Sequence, residues 1–169
     1  AAVHIGTNLL NEFVDYTSGN DAANKFHDLP FNGGSGVLQE GGLLPSQVHR
    51  AAIVCYVIGF LLGMLLAYYR GPLVLYLTIA GIVSGYSYDS APLKLVYRGV
   101  GELMVGLNFG FLIIIGSYYV QAQTVNSKVL WVALPIAILI SAVLYINEFP
   151  DYEADKAVGK NHLVVRFGT

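Results

Sequence analysis

Ile53-Val54-Cys55-Tyr56-Val57-Ile58-Gly59-Phe60-Leu61-Leu62 carries no charge in ten residues. It lies inside an apolar run from about Val48 to Tyr69, long enough for the roughly 20 residues that cross a bilayer core. Working outward, four more segments share this character. Ala1 to about Tyr16 reads as the tail of a longer helix. Pro72 to about Tyr88 is short for a span, with its proline where a first-turn proline is tolerated. Val100 to about Val120 and Lys128 to about Phe149 follow, the last containing Pro135, which packed membrane helices accommodate. The expected fold is all-α: a polytopic transmembrane helix bundle with about five membrane helices in this chain.

Composition agrees. Of 169 residues, 55% are hydrophobic and 12% charged, where soluble domains carry about 25% charged residues. Mean hydropathy is +0.58, and the solvent this balance suits is lipid. A net charge of −2 gives no case for a polybasic surface, and no nucleic acid is expected as a partner. The single cysteine, Cys55, sits in an apolar run and rules out an internal disulfide. Glycines four apart (Gly59 and Gly63, Gly81 and Gly85, Gly106 and Gly110) let helices approach closely. The chain opens on Ala1 within an apolar pattern, and we expect it to be a fragment of a longer membrane protein.

The connections divide by length. Residues 17 to 46, 89 to 98 and 150 to 169 are long; those near Arg70-Gly71 and from Gln121 to Ser127 are short. With consecutive spans, the long loops share one membrane face. Lys25, Arg50, Lys94, Arg98, Lys156, Lys160 and Arg166 lie on that side, against Arg70 and Lys128 on the other. The positive-inside rule places the motif-bearing long loops in the cytoplasm. All eleven acidic residues fall on the same side or in the helix ends nearest it, so a site is expected there.

Those acids are patterned. Asn11-Glu12-Phe13-Val14-Asp15-Tyr16, followed by Asp21 and Lys25, is repeated as Asn147-Glu148-Phe149-Pro150-Asp151-Tyr152, followed by Asp155 and Lys156. Residues four apart share a helix face, which aligns Asn11 with Asp15, and Asn147 with Asp151 and Asp155. Each cluster offers an amide oxygen and carboxylates without His or Cys. Such hard ligands suit Mg²⁺ or Ca²⁺; Mg²⁺ binds through one or two carboxylates plus substrate phosphates. Acids at an apolar helix end are costly unless cations neutralise them. Lys25, Lys94, Arg98 and Lys156 are candidates to grip phosphate oxygens. Interfacial charges that merely mark helix ends are the plainer reading, but helix ends do not require a repeated six-residue pattern.

A third constellation lies between the motifs, in Ser87-Tyr88-Asp89-Ser90-Ala91-Pro92-Leu93-Lys94 and Arg98-Gly99-Val100-Gly101-Glu102. Tyr86 and Tyr88 offer π faces to a cation or serve as interfacial anchors. Asn108 reads as helix glue or as cavity lining. Glu102, one turn into its helix, needs a cation nearby. His4, His27, His49 and His162 are scattered and form no ligand set, and Gly33 to Gly36 lacks the lysine of a nucleotide-binding loop.

On these residues the sequence resembles the membrane-embedded aromatic prenyltransferases of the UbiA superfamily. Asn11 through Asp21 is similar to that family's first Asp-rich motif, Asp151-Tyr152-Glu153-Ala154-Asp155 to its second, and Tyr86-Ser87 with Pro92-Leu93-Lys94 to the loop between them. The spacing from Asp15 to Asp21, with the Gly-rich stretch 33–41 downstream, is most similar to the 1,4-dihydroxy-2-naphthoate branch of menaquinone synthesis. Glu12 departs from the pattern, standing where the family often has Asp.

The resemblance implies a nine-helix fold of which this chain supplies the second to sixth helices, and which the fragment alone leaves inactive. It implies Mg²⁺ held by Asn11, Asp15 and Asp21 on one side and Asp151 and Asp155 on the other. The partners implied are a polyprenyl diphosphate and an aromatic acceptor, within the lipid bilayer. Neutralising the diphosphate lets the allylic C–O bond ionise, and an aromatic carbon attacks the cation. Asp15, Asp151 and Asp155 would be catalytic; Lys25, Tyr86, Tyr88, Lys94, Arg98, Asn147 and Lys156 would bind substrate. Other acceptors in the superfamily (4-hydroxybenzoate, homogentisate, a chlorophyllide, a glycerol ether lipid) are alternatives. From another class, a cation-coupled transporter also places acids within membrane helices.

Overall fold

The computed structural model describes residues 1–24 and 35–168. Helix α1 (Ala2–Ser18) is followed by a single short turn, α2 (Asn20–Ala23). Helix α3 (Pro45–Arg70) starts with proline in its first turn, and the Gln47 side chain accepts the Leu44 N–H at 2.8 Å. A break at Gly71 leads into α4 (Pro72–Asp89). After a 3₁₀ turn at Leu95–Arg98, one continuous helical rod runs as α5 (Gly101–Val105), a π-helical stretch (Gly106–Leu112) and α6 (Ile113–Ala122). Helix α7 (Ser127–Ala157) begins where the Asn126 side chain accepts the Val129 N–H, and α8 (Leu163–Phe167) is one short turn beyond it.

Among the described residues, three stretches are long and apolar enough to cross a bilayer: Pro45–Arg70, Gly101–Ala122 and Ser127–Ala157. Helices α1 and α4, the tail and the short span of the sequence reading, lie beside them with 17 and 18 residues. Large apolar side chains project outward along these rods, among them Leu61, Trp131 and Leu139. That is costly in water and natural against acyl chains.

One expected boundary moves. The fifth segment does not end at Phe149 but continues through Pro150 to Ala157, so Asp151 and Asp155 are helical. Pro150 removes one backbone donor, a loss membrane helices tolerate. The fourth segment contains the wide π turn, a feature frequent at functional sites.

Small residues set the packing. On α1, Gly6 lies against Ala52 and Tyr56 of α3, and Leu10, Ala52 and Tyr56 form a buried cluster. Thr7 and Tyr56 share a hydrogen bond of 3.0 Å. The π stretch presses onto α7, where a Cβ added at Gly110 would lie 2.3 Å from that of Ala137. Asn108, within the π stretch, donates to Ser84 Oγ of α4 at 2.5 Å and to the Met104 carbonyl at 2.8 Å. It also faces a cavity of about 560 Å³ between α1, α4 and the π stretch, bordered by Thr7, Asn11, Gly81, Tyr88 and Phe109. Both readings of Asn108 therefore hold.

Candidate active site

The two motif helices end alike. Gly19 follows Asp15 by four residues and Gly159 follows Asp155 by four, each with left-handed φ (79° and 78°). A β-carbon disfavours this conformation, so glycine is the residue that closes a helix this way. At the end of α7 the geometry is the Schellman motif: Lys160 N–H bonds the Asp155 carbonyl at 2.9 Å and Gly159 N–H that of Lys156 at 3.3 Å. The chain is thereby turned back over the last helical turn.

The residue after each glycine crosses to the other motif. Lys160 Nζ lies 2.6 Å from Asp15 Oδ1 and 3.5 Å from Asp155 Oδ1. Asn20 donates to Asp155 Oδ1 at 2.9 Å, and Asn24 to Asp151 Oδ1 at 2.7 Å. Asn11 donates to Asp15 Oδ2 at 3.2 Å and to Asp89 Oδ2. Carboxylates from α1, α4 and α7 thus converge on one buried ammonium, with Asp89, Asp155 and Lys160 at 2, 5 and 6% exposure. The structural counterpart of Asp15 is Asp155, one turn beyond the Asp151 that the repeated sequence aligns with it.

Acids dominate the electrostatics. Burial works against the Lys160 charge, but Asp15, Asp155 and Asp89 together outweigh it and hold the ammonium above its usual pKa. Burial also opposes charge on His162, yet its bonds to Asp155 (Nε2 to Oδ2, 3.0 Å) and Glu148 (Nδ1 to Oε2, 3.3 Å) raise it to about 9. Asp21, on α2, is pushed up to about 6 by burial and by the Asp15 charge, against the bond from Gln39.

The other expected site residues divide. Tyr88 borders the cavity, and Tyr86, two residues earlier on α4, is exposed. Lys94 stacks over Tyr97, with Nζ 5.1 Å from the ring centroid. Arg98 donates to the Pro92 carbonyl at 3.4 Å, and its own carbonyl receives Arg166. Lys156 turns outward onto Tyr152, 3.2 Å from its hydroxyl, and Asn147 is exposed on α7. The structure brings none of Lys94, Arg98, Lys156 and Asn147 onto the carboxylates, and Lys25 lies outside the described residues. Glu12 accepts from Ser35 N and Oγ, tying the returning loop to α1.

A family model for the UbiA prenyltransferase family matches residues 1–169. This chain belongs to that family. Among its relatives is the 1,4-dihydroxy-2-naphthoate octaprenyltransferase of Bacillus subtilis (strain 168), 30% identical over 166 residues that cover 98% of this chain and 51% of the relative. The enzyme of the same description from Escherichia coli (strain K12) is 31% identical over 172 residues, covering 98% and 54%. The 2-carboxy-1,4-naphthoquinone phytyltransferase of Synechocystis is 36% identical over 96 residues, covering 57% and 31%. The chain spans about half the length of the 1,4-dihydroxy-2-naphthoate octaprenyltransferases it matches. No solved structure matches it.

Within this UbiA chain the sequence reading missed Lys160, Asp89 and His162 as members of the cluster. For Lys160 a signal existed: a glycine just past the helix end predicts a reversal that carries the next side chain back. For Asp89 the signal was weaker, an acid at the last residue of an apolar helix. His162, dismissed as scattered, is 1% exposed and joins Asp155 to Glu148.

Proposed function

We propose that this chain carries the diphosphate-ionising site of an integral membrane prenyltransferase. Its reaction would be transfer of a polyprenyl group from polyprenyl diphosphate to 1,4-dihydroxy-2-naphthoate, in menaquinone biosynthesis. The observation that carries the reading is the reciprocal crossing of Lys160 onto Asp15 and Asn20 onto Asp155. It brings Asp15 and Asp155, 140 residues apart in the sequence, to one mouth. The naphthoate acceptor rests on the activities of the relatives; family membership leaves the transporter alternative without support.

The donor set fits Mg²⁺. Asp15, Asp21, Asp89, Asp151 and Asp155 offer oxygen only, and Asp89 Oδ1 and Asn20 Oδ1 are buried without a hydrogen-bond partner among the described residues. Hard oxygen donors with an unspent acceptor suit a small divalent cation. Asn11, Asp15, Asp21, Asp151 and Asp155 would hold it, with Asp89 added from α4. When bound, Mg²⁺ supplies neutralisation of the diphosphate leaving group.

The chain's own residues do the rest. Asn11, Asn20 and Asn24 fix the carboxylate orientations through their amide donors. Lys160 is a buried cation positioned to meet a phosphate oxygen. Asn11 and Tyr88 also border the cavity, so an anionic head at the carboxylates leaves the attached hydrocarbon facing an apolar space that excludes water. The acidic mouth is assigned to the cytoplasmic face by the lysine and arginine asymmetry.

The test is prenyl transfer by the full-length protein supplied with geranylgeranyl diphosphate, Mg²⁺ and each acceptor in turn, with products read by mass spectrometry. A prenylated, decarboxylated naphthoquinol is expected, and Asp155→Asn should abolish it. Product from 4-hydroxybenzoate alone would overturn the acceptor. Undiminished turnover in Asp155→Asn would overturn the site.

A further inference from the structure

Behind the Asp motifs lies a cluster that the prenyl-transfer reading does not use. Glu102 of α5, Glu148 of α7 and His162 at the start of α8 are 4, 6 and 1% exposed. One ligand atom from each lies within 4.8 Å of the others. Two buried carboxylates side by side are costly without a matching cation. A protonated His162 meets that need only in part. Glu148 Oε1 and Glu102 Oε2 are fully buried and have no hydrogen-bond partner among the described residues.

We propose that Glu102, Glu148 and His162 form a second, buried metal site that takes one Zn²⁺ and is distinct from the carboxylates of the Asp mouth. The donor chemistry distinguishes it. The Asp mouth is all oxygen and suits Mg²⁺, whereas an imidazole beside two carboxylates suits a borderline ion such as zinc. Zinc bonds of about 2.0–2.1 Å at tetrahedral angles put ligand atoms roughly 3.3–3.4 Å apart. His162 Nδ1 and Glu148 Oε2 are 3.3 Å apart.

The outer shell is already assembled. A metal-ligating imidazole almost always gives its second nitrogen to a carboxylate or carbonyl, which fixes the tautomer. Here His162 Nε2 is 3.0 Å from Asp155 Oδ2, leaving Nδ1 turned toward the two glutamates. Glu102 is steadied in the same way: its Oε1 accepts the Leu163 N–H at 2.7 Å, leaving Oε2 free. A bound ion would tie α5, α7 and α8 together and so anchor the 158–162 turn that presents Lys160. Its role is structural, with one coordination position left for water or a second carboxylate oxygen.

The test loads the full-length protein in detergent with Zn²⁺ against excess Mg²⁺, removes free metal, and measures zinc per chain by mass spectrometry. One zinc per chain is expected, with X-ray absorption showing one nitrogen and the remainder oxygen at about 2.0–2.1 Å. Asp15→Asn, in the Asp mouth, should keep the ion. Glu102→Gln and His162→Gln should each weaken its retention at least about tenfold. Should His162→Gln fail to fold, the wild-type absorption spectrum still decides the matter. No zinc on the wild type, an all-oxygen shell, or loss in Asp15→Asn together with retention in His162→Gln would each overturn the proposal.

Discussion

Replacing Lys160 with methionine keeps the volume and removes the charge that joins the two motifs. In the metal-free protein this leaves Asp15 and Asp155, 2.6 and 3.5 Å from the lost ammonium, facing each other in a buried site. Removing one partner of a buried pair costs about 3–5 kcal/mol, because the survivors are left uncompensated. The expected loss in Lys160→Met is of that order. Reversible unfolding in mixed micelles measures it, with Asp15→Asn as the second arm of a double-mutant cycle. In the Asp15→Asn background the same change should cost much less, giving a coupling above about 1 kcal/mol, within the range of contacting residues. Mg²⁺ with pyrophosphate should restore part of the loss in Lys160→Met, since those ions can neutralise the same carboxylates. Additivity within about 0.5 kcal/mol, or no response to Mg²⁺, would refute the idea that Lys160 and the metal serve one set of acids.

Other expectations follow from single contacts. Gly159→Ala meets nothing within 4 Å among the described residues, so its cost is backbone strain of about 1–2 kcal/mol; it should lower diphosphate affinity by displacing Lys160, and unchanged calorimetric binding would count against the turn's role. Gly110→Val would drive a side chain into Ala137 and should destabilise by about 1–3 kcal/mol, read by thermal unfolding in detergent; a neutral result would mean that the π stretch and α7 separate easily. With Cys55 replaced by serine, cysteines at Glu40 and Lys156 should label from one face of sealed vesicles and one at Gln123 from the other. Labelling of all three from the same face would overturn the topology.

The apolar runs revealed most of the fold because lipid exposure demands long, uniform segments whose ends chemistry marks plainly. They erred where chemistry is mixed. Pro150 and the acids around it look like a loop, yet α7 runs on to Ala157 because Asp151 and Asp155 are satisfied by Asn24, Asn20, Lys160 and His162 from elsewhere in the chain. The repeated motif announced a two-sided site, but sequence alignment paired Asp15 with Asp151, whereas the glycine reversals pair it with Asp155. Lysines adjacent to the motifs looked like the phosphate grips. Helix rotation instead sends Lys156 outward, and the reversal at Gly159 brings Lys160 in. Asp89, Glu148 and His162 were illegible as partners because their meeting depends on how α4, α7 and α8 pack.

The central claim is that both motifs serve one diphosphate. Calorimetric titration of an unreactive geranyl thiolodiphosphate into the full-length protein with Mg²⁺, compared across wild type, Asp15→Asn and Asp155→Asn, tests it most directly. Each single variant should weaken binding at least about tenfold, as loss of a charged partner worth about 1.5–3 kcal/mol requires, and removal of Mg²⁺ should abolish the difference. Full affinity in either variant would contradict the account.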